Sequence, residues 1–553
     1  MYRRGVWWRV ALVAIVVTAC VACDDDDDGG GGSEGADVGA DTGAVEDTAA
    51  PEDTAPAEDV FVEPDLPSYD YDGEPGPEEL FQHGVASGDP LSDRVILWTR
   101  VTPEEAGEVE VYYEVALQPD ITQRVAAGLV TTSEARDFTV KVDPTGLPSG
   151  TTLYYRFSAL GRTSPVGRTR TAAAAGEAVE RLRIGVTSCS NYGSGYFHAY
   201  REIGAMADLD LVLHLGDYIY EYGSAGSFRP NEPLKEIVTL EDYRLRYASY
   251  RRDPDLQEAH RQHPWIVVWD DHETANNSWR GGAQNHDPGS EGEWEARLGA
   301  AWQAWSEWLP VRDQAPVQIW RSFQFGDLVD LIMLDTRIWG RDLQVSANAA
   351  GDDLSRQLLG ADQEAWLAEQ LAGASARWQL LGQQIMMAQL LVGPTPLNAD
   401  QWDGYPGARD RLFAMLEENE LSSTVVLTGD IHTSWASELT RDPLVTPYSA
   451  LGVEFVTPGV TSGGFPEALA NAADAIVAEN AHMQWAELTM RGYILLDVTP
   501  ERTQAAWFHY SDIQTPGVAS AFASAWAVEA GIPVLLPEDA PAPPPVEVPA
   551  LAP

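Results

Sequence analysis

The pattern of hydrophobic and polar positions along the chain changes at about residue 180. Between residues 81 and 171, short runs such as EVEVYYEVAL and TLYYRFSAL alternate apolar with polar positions and are separated by turn residues. This alternation is typical of antiparallel strands that have one buried face. The pattern predicts a small antiparallel β-sandwich domain over residues 79–175.

From residue 181 onward the apolar runs are continuous, as in LDLVLHL, WIVVW and TVVLT, and helix-like segments such as ADQEAWLAEQLAGA lie between them. Continuous runs indicate strands buried on both faces, and strands that alternate with helices indicate a layered α/β fold. We therefore predict an α/β domain over residues 178–530. In such folds, ligands bind beyond the carboxyl ends of the strands.

The N-terminus has the features of an export signal. Three arginines precede VALVAIVVTA, an apolar stretch that is too short to span a bilayer. We predict a signal peptide over residues 1–23, in which VTAC resembles a bacterial lipobox that is lipidated at Cys20 or, alternatively, at Cys23. An ordinary secretory signal or a twin-arginine signal is the alternative. The expected location is extracytoplasmic, either as an envelope lipoprotein held at a membrane by its N-terminal lipid anchor or as a secreted protein.

Two further segments have compositions that do not favour a packed core. Residues 24–78 are acidic and rich in Gly, Ala and Pro, which predicts a disordered tether. Residues 531–553 form a Pro-rich tail for which we expect no packing. The net charge of the whole chain is −50, so a nucleic-acid partner bound through a basic surface is not expected.

Side chains that can bind metal or move protons follow five of the predicted strands. Each has an ordinary explanation on its own, because Asp after a strand is often a turn former and a lone Cys is often a small core residue. If the five strand ends meet at one edge of one sheet, their carboxylates repel one another unless a cation lies among them. The mixture of oxygen, nitrogen and sulfur donors favours a transition metal beside a harder, oxygen-preferring ion. In chain order, these side chains are Cys189, Asp217, Tyr220, Asp270, Asp271, His272, Glu273, Asp335, Arg337, Asp430 and His432.

The sequence motifs around these residues resemble those of a known family. The segments SC, GDYIYEYG, WDDHE followed by ANN, LDTR and GDIH occur in this order after the segment FQHGVASGDP. Together they resemble the PhoD-type alkaline phosphatases and phosphodiesterases of the binuclear metallophosphoesterase superfamily, over about residues 81–515. The resemblance implies a layered β-sheet metallophosphoesterase domain that hydrolyses phosphate esters of small molecules or lipids. Monoesterase, diesterase and phospholipase D activities all remain open.

The resemblance also implies a set of metal ligands. Asp217 would bridge two sites, the first holding ferric iron and the second one or two calcium ions or another divalent metal. Gln384 stands near the place where the superfamily has a further histidine, which leaves the second site's ligand set incomplete. The implied ligands are Cys189, Asp217, Tyr220 and His432 for the first site, and Asp271 and Asp430 for the second.

Three more residues receive roles from the same resemblance. His272 is the implied acid that protonates the leaving group, while Asn276 and Arg337 are the implied phosphate contacts. A metal-bound hydroxide would attack the phosphorus atom in line.

Two other functions stay open at this point. The lipobox and tether also suit a catalytically inactive, surface-tethered binding lipoprotein with a phosphatase-like body. A hydrolase with Ser188, Cys189 or Ser190 as nucleophile is the second alternative. Two features argue against this alternative. The sequence has no G-x-S-x-G motif, and the histidines occur together with carboxylates in segments that resemble metal-binding motifs.

Overall fold

The computed structural model describes residues 61–346, 349, 351 and 353–553. The expected signal peptide, both candidate lipobox cysteines and most of the expected tether lie outside these residues. Within them, no helix combines the length and the apolar character that a membrane span requires.

The strands of the described chain follow in sequence order. They are β1 Val85–Gly88, β2 Ile96–Arg100, β3 Val109–Ala116, β4 Arg124–Thr132, β5 Thr139–Val142, β6 Thr152–Ala159, β7 Arg162–Thr163, β8 Gly167–Arg170, β9 Leu182–Thr187, β10 Leu211–His214, β11 Pro264–Val267, β12 Arg321–Phe325, β13 Val329–Met333, β14 Trp378–Gln383, β15 Leu391–Val392, β16 Thr395–Pro396, β17 Thr424–Thr428, β18 Ser434–Leu439, β19 Gly452–Val456, β20 Met483–Glu487, β21 Arg491–Val498, β22 Arg502–Tyr510, β23 Ala521–Glu529 and β24 Ile532–Glu538.

The α-helices lie mostly between the strands of the α/β region. They are α1 His198–Ala205, α2 Leu240–Tyr250, α3 Pro254–Gln262, α4 Pro288–Glu291, α5 Trp294–Trp308, α6 Gly360–Ala372, α7 Pro406–Glu418 and α8 Ala473–Glu479. Local capping explains where two of them begin. Thr239 and Asp242 form a reciprocal capping box at the start of α2, and Asp253 caps α3 with a proline at its first turn.

Two large sheets form the body of the molecule. The first has the strand order β24-β23-β22-β21-β9-β10-β11-β1-β2-β5, and the second has the order β12-β13-β14-β17-β19-β18-β20. A core that contains Val186 and Leu213 of the first sheet with Leu331 and Phe455 of the second joins the two. The other face of the second sheet is also buried, against α6 and α7. Burial on both faces explains the continuous apolar runs.

The two sheets correct one expectation. We expected five strand ends at one edge of one sheet, but β9, β10 and β11 are parallel neighbours in the first sheet, whereas β13, β14 and β17 are parallel neighbours in the second. The apolar runs indicate which residues are buried but do not encode which strands pair. The functional loops therefore come from two parallel sets of strands that belong to different layers.

The N-terminal region is antiparallel, as predicted, but its strands are divided. Strands β3, β4, β6, β7 and β8 form a separate five-stranded sheet. Strands β1, β2 and β5 extend the first large sheet, because β1 pairs in parallel with β11. Leu97 of β2 and Val111 of β3 share one core cluster, so the smaller sheet packs on this extension.

Two segments that we expected to remain unpacked make contacts. In the predicted tether, the ring of Tyr69 stacks on Tyr112 with 5.7 Å between centroids, and the Tyr69 hydroxyl accepts the N–H of Gly161 at 3.0 Å. In the predicted tail, β24 pairs with β23, and Ala552 is buried beside Tyr154. Composition averaged over a segment does not report single aromatic residues or the backbone donors and acceptors that a sheet edge can pair.

A candidate binuclear metal centre

Four of the candidate site residues adopt the left-handed backbone conformation, which side chains other than glycine rarely take. Their φ angles are 59° for Cys189, 57° for Asp217, 63° for Asp430 and 57° for His432. Such backbone strain persists only where the surrounding structure fixes it, and it is concentrated at functional sites. The four residues follow β9, β10 and β17, so both large sheets supply strained loops.

Three of these residues form what we call the first cluster. One ligand-type atom each of Cys189, Asp217 and His432 lies within 4.8 Å of the other two. Tyr220 joins them, because its hydroxyl donates to Asp217 Oδ2 at 3.0 Å and lies 3.3 Å from His432 Nε2. The first cluster thus brings together a thiol, a carboxylate, an imidazole and a phenol.

The protonation of the first cluster favours a cation. His432 Nδ1–H donates to the carbonyl oxygen of Gly463 at 2.8 Å, which leaves the Nε2 lone pair directed toward the cluster. Burial and then the Asp217 carboxylate raise the pKa of the Cys189 thiol well above its usual value. A thiolate at this position therefore requires a bound metal ion, which would also take the imidazole lone pair.

Asp270, Asp271 and Asp430 form the second cluster, again with one carboxylate oxygen each within 4.8 Å of the others. A third group, made of Asp217, Asp271 and His272, connects it to the first cluster. Asp270 Oδ2 is buried and has no hydrogen-bond partner among the residues that the structure describes. Burial raises the pKa of Asp270 well above its usual range, and the neighbouring carboxylates add to the effect. An oxygen-preferring cation would satisfy both features.

The guanidinium of Arg337 lies inside the second cluster. It forms ion pairs with Asp270 and Asp430 and donates to Asp400 Oδ2 at 2.7 Å. Asp400 also pairs with Arg341, whose side chain is buried. This arginine therefore offsets part of the negative charge in the structure.

His272 is held by a buried carboxylate at the edge of both clusters. Its Nδ1–H donates to Glu221 Oε2 at 2.6 Å, and Glu221 is fully buried. The Tyr220 ring lies 4.2 Å from the imidazole, between centroids. Burial alone would lower the pKa of His272, but the carboxylates of Glu221, Asp217 and Asp271 raise it well above its usual value. The ring is thus oriented with Nε2 as its remaining proton donor.

Comparison with known proteins agrees with this geometry. The family model described as "PhoD-like phosphatase" matches residues 184–507. The chain belongs to this family. The model described as "PhoD-like phosphatase, N-terminal domain" matches residues 70–173.

Two relatives of the PhoD-like phosphatase extend the match over most of the chain. "Alkaline phosphatase D" of Bacillus subtilis (strain 168) is 39% identical over 469 residues, which cover 79% of this chain and 79% of the relative. A solved structure titled "Structure of PhoD" superposes with a TM-score of 0.77 at 35% identity, covering 86% of this chain and 94% of the other. The predictions of family, α/β fold and phosphoric ester hydrolase are confirmed.

Within the PhoD-like phosphatase, the six predicted metal ligands all lie in or against the two clusters: Cys189, Asp217, Tyr220, Asp271, Asp430 and His432. Their roles as ligands, and the roles of the other predicted residues, stay predictions. Arg337 contacts carboxylates, as described above, and the backbone N–H of Asn276 donates to Glu221 Oε1 at 2.6 Å. The Gln384 side-chain amide is occupied elsewhere, since it accepts from the Thr336 hydroxyl at 2.6 Å and donates to the Leu334 carbonyl at 3.0 Å.

Some residues that position the site were not predicted or were left undecided. Glu273 accepts the backbone N–H groups of Asp217, Tyr218 and Asp270 at 3.1, 2.6 and 2.8 Å, so it joins the loops after β10 and β11. Asp335 accepts the N–H groups of Arg337 and the next residue at 2.9 and 2.8 Å. Both carboxylates follow strands, which was the available signal. Glu221 and Asp400 had no such signal, because neither immediately follows a predicted strand.

Proposed function

We propose that this PhoD-like phosphatase hydrolyses phosphate esters outside the cytoplasm at a binuclear metal centre. The observation that carries the proposal is the first cluster, in which His432 is fixed with its Nε2 lone pair toward the thiol of Cys189 and the carboxylate of Asp217. Thiolate and phenolate donors favour a trivalent ion, and we assign ferric iron to this position. The carboxylates of Asp271 and Asp430 favour calcium, as one or two ions, or another divalent metal.

When bound, such ions lower the pKa of coordinated water and offset the charge on the phosphoryl oxygens. The chain's own residues supply the rest of the chemistry. Asp217 lies in the first cluster and in the group that connects it to the second cluster, so it can bridge the two positions. His272 directs Nε2 to the site because Glu221 occupies Nδ1, and we assign it the proton that the leaving-group oxygen takes up. Asn276 and Arg337 remain our candidates for phosphate contacts.

The features of the N-terminal sequence support the location that we propose. The arginines, the short apolar stretch and the lipobox-like VTAC favour export followed by lipid anchoring at a membrane, with secretion as the alternative. The substrates that we propose are phosphate esters of small molecules or lipids, as monoesters or diesters.

Metal analysis, an absorption spectrum and assays on a phosphate monoester and a diester test the proposal together. We expect iron, a visible charge-transfer band from thiolate and phenolate, and turnover of at least one ester. Cys189→Ala should abolish the band and the iron content. A colourless, iron-free and fully active wild-type protein would refute the first site.

His272→Asn separates the acid role from a ligand role. We expect turnover to fall by about 10²-fold or more, which is the usual contribution of a general acid, while the metal content stays at the wild-type level. Loss of metal would show that His272 is a ligand instead. Full metal occupancy without turnover of any ester in the wild-type protein would favour the inactive binding lipoprotein.

A further inference from the structure

A surface loop beside His272 runs from Glu221 to Ile237 and closes on itself. The N–H of Ile237 donates to the carbonyl oxygen of Glu221 at 3.0 Å, which joins the two ends. Within the loop, the Ser224 hydroxyl donates to the Asn231 carbonyl at 2.7 Å, and the Asn231 N–H donates back to that hydroxyl at 2.9 Å. A loop with joined ends and internal packing is an Ω-loop, a form that is frequently functional.

Arg229 fixes this loop to the body of the molecule. Its guanidinium lies 3.9 Å from the centre of the Tyr192 ring and donates to Asp253 Oδ2 at 2.6 Å. Stacking of a cation on an aromatic face combined with an ion pair restrains the side chain from two directions. The loop is therefore a positioned element rather than a loose connection.

The loop places Tyr222 next to His272. The two rings lie 5.2 Å apart between centroids at an interplanar angle of 63°. Tyr220 also packs against His272 and is 5% exposed, whereas Tyr222 is 42% exposed. Among the described residues, the Tyr222 hydroxyl has no hydrogen-bond partner. Tyr222 thus presents an aromatic surface to solvent directly beside the residue to which we assign the leaving-group proton.

We propose that Tyr222 determines leaving-group specificity and favours phosphate esters of aromatic alcohols. This inference rests on the proposed function, because it takes His272 as the proton donor. The oxygen that leaves must come within hydrogen-bond reach of His272 Nε2. The group attached to that oxygen then lies next to His272, where Tyr222 is the more exposed of the two neighbouring rings.

The chemistry of Tyr222 suits a neutral aromatic partner. The side chain offers both a ring face and a hydroxyl donor. Ring–ring contacts contribute about two- to twelve-fold in affinity beyond buried area, which sets the size of the expected selectivity.

The test compares kcat/KM for phenyl phosphate and glycerol phosphate in the metal-loaded wild-type enzyme and its variants. If the wild type hydrolyses only diesters, the methyl phenyl and methyl glycerol diesters replace them. For Tyr222→Ala and Tyr222→Leu, we expect the aryl-to-alkyl ratio to fall about two- to twelve-fold, mainly through KM for the aryl ester. Tyr222→Phe should restore the ratio. Phe228→Ala is the matched control, since Phe228 is a similarly exposed ring (45%) on the same loop and packs against Tyr196.

The outcomes separate the inference from the function on which it rests. An active wild type with an unchanged ratio in both Tyr222→Ala and Tyr222→Leu overturns the role of Tyr222 alone. An equal loss on both esters, with Tyr222→Phe equally impaired, shows a structural role and also overturns it. A metal-loaded wild type that hydrolyses no ester overturns the proposed function and the inference together.

Discussion

Replacing Glu221 by Gln tests whether the carboxylate beside His272 prepares it to act as an acid. Glu221 Oε2 accepts the His272 Nδ1–H at 2.6 Å, while Oε1 accepts the backbone N–H of Asn276 at 2.6 Å and the side-chain N–H of Asn285 at 2.9 Å. Gln has the same size and can keep its oxygen toward the two asparagines. Its amide group would then face Nδ1, which must become an acceptor, so the charged imidazolium loses its partner.

The magnitude follows from the kind of contact that is lost. A hydrogen bond to a charged group contributes about 1.5–3 kcal/mol, which corresponds to a pKa change of about one to two units and a rate factor of about 10- to 150-fold. Burial favours the neutral ring, whereas Glu221 raises the pKa of His272. Removing the charge of Glu221 therefore lowers this pKa, and the alkaline limit of kcat should move to lower pH.

The assay is kcat against pH for the wild type, Glu221→Gln and the charge-retaining control Glu221→Asp. Two esters with good and poor leaving groups should be compared, and the metal content measured in each variant. We expect the loss in Glu221→Gln to be larger for the poor leaving group, because only that group needs a proton as it departs. Equal losses on both esters at full metal content, or an unmoved alkaline limit, would refute the reasoning.

Three further predictions concern stability. Burial, and after it the positive charge of Arg100, lowers the pKa of His83 to about 2. Below about pH 6.5 the unfolded chain therefore binds a proton that the folded protein does not. His83 thus destabilises the fold by about 2 kcal/mol at pH 5. His83→Phe should remove this dependence in denaturant unfolding at pH 7.5 and pH 5, and an unchanged pH dependence would contradict it. Glu273→Gln leaves at least one buried N–H unpaired, so we expect the free energy of unfolding to fall by about 1–3 kcal/mol or more. An unchanged melting temperature would contradict the inference that Glu273 connects the two loops. Tyr69→Ala removes the stack on Tyr112 and should make residues 61–78 more susceptible to limited proteolysis. Val62→Ala, at an exposed position of the same segment, is the control. Equal cleavage of both variants would show that Tyr69 does not hold the segment.

The sequence brought the candidate ligands together because each follows a strand that is fully buried. An apolar run such as TVVLT must end where the chain leaves the core, and the next polar residues, among them Asp430 and His432, lie at the sheet edge. The same local signal cannot state which strands pair. The division of β9–β11 from β13, β14 and β17 between two sheets depends on contacts that are distant in sequence, so it emerged only in the structure.

The residues that position the site could not be predicted from the same local signal. Glu221 reaches His272 across 51 positions of the chain, and Asp400 reaches Arg337 across 63. Neither residue differs in its local sequence from an ordinary surface carboxylate. Their roles come from the return path of loops whose conformation depends on packing, which a pattern of single residues does not contain.

The charge balance of the second cluster decides whether Arg337 can form a phosphate-binding pocket by itself. One guanidinium contacts the carboxylates of Asp270, Asp271, Asp400 and Asp430. Arg341 also pairs with Asp400, so two positive charges stand against these four carboxylates. The carboxylate of Asp217 adds to this excess of negative charge. Opposed carboxylates at these distances do not all ionise without added positive charge. An anionic phosphoryl group would be repelled from such a site, so Arg337 alone cannot make it a phosphate pocket. Cations must bind first, and only then could Arg337 contribute to holding a phosphate ester.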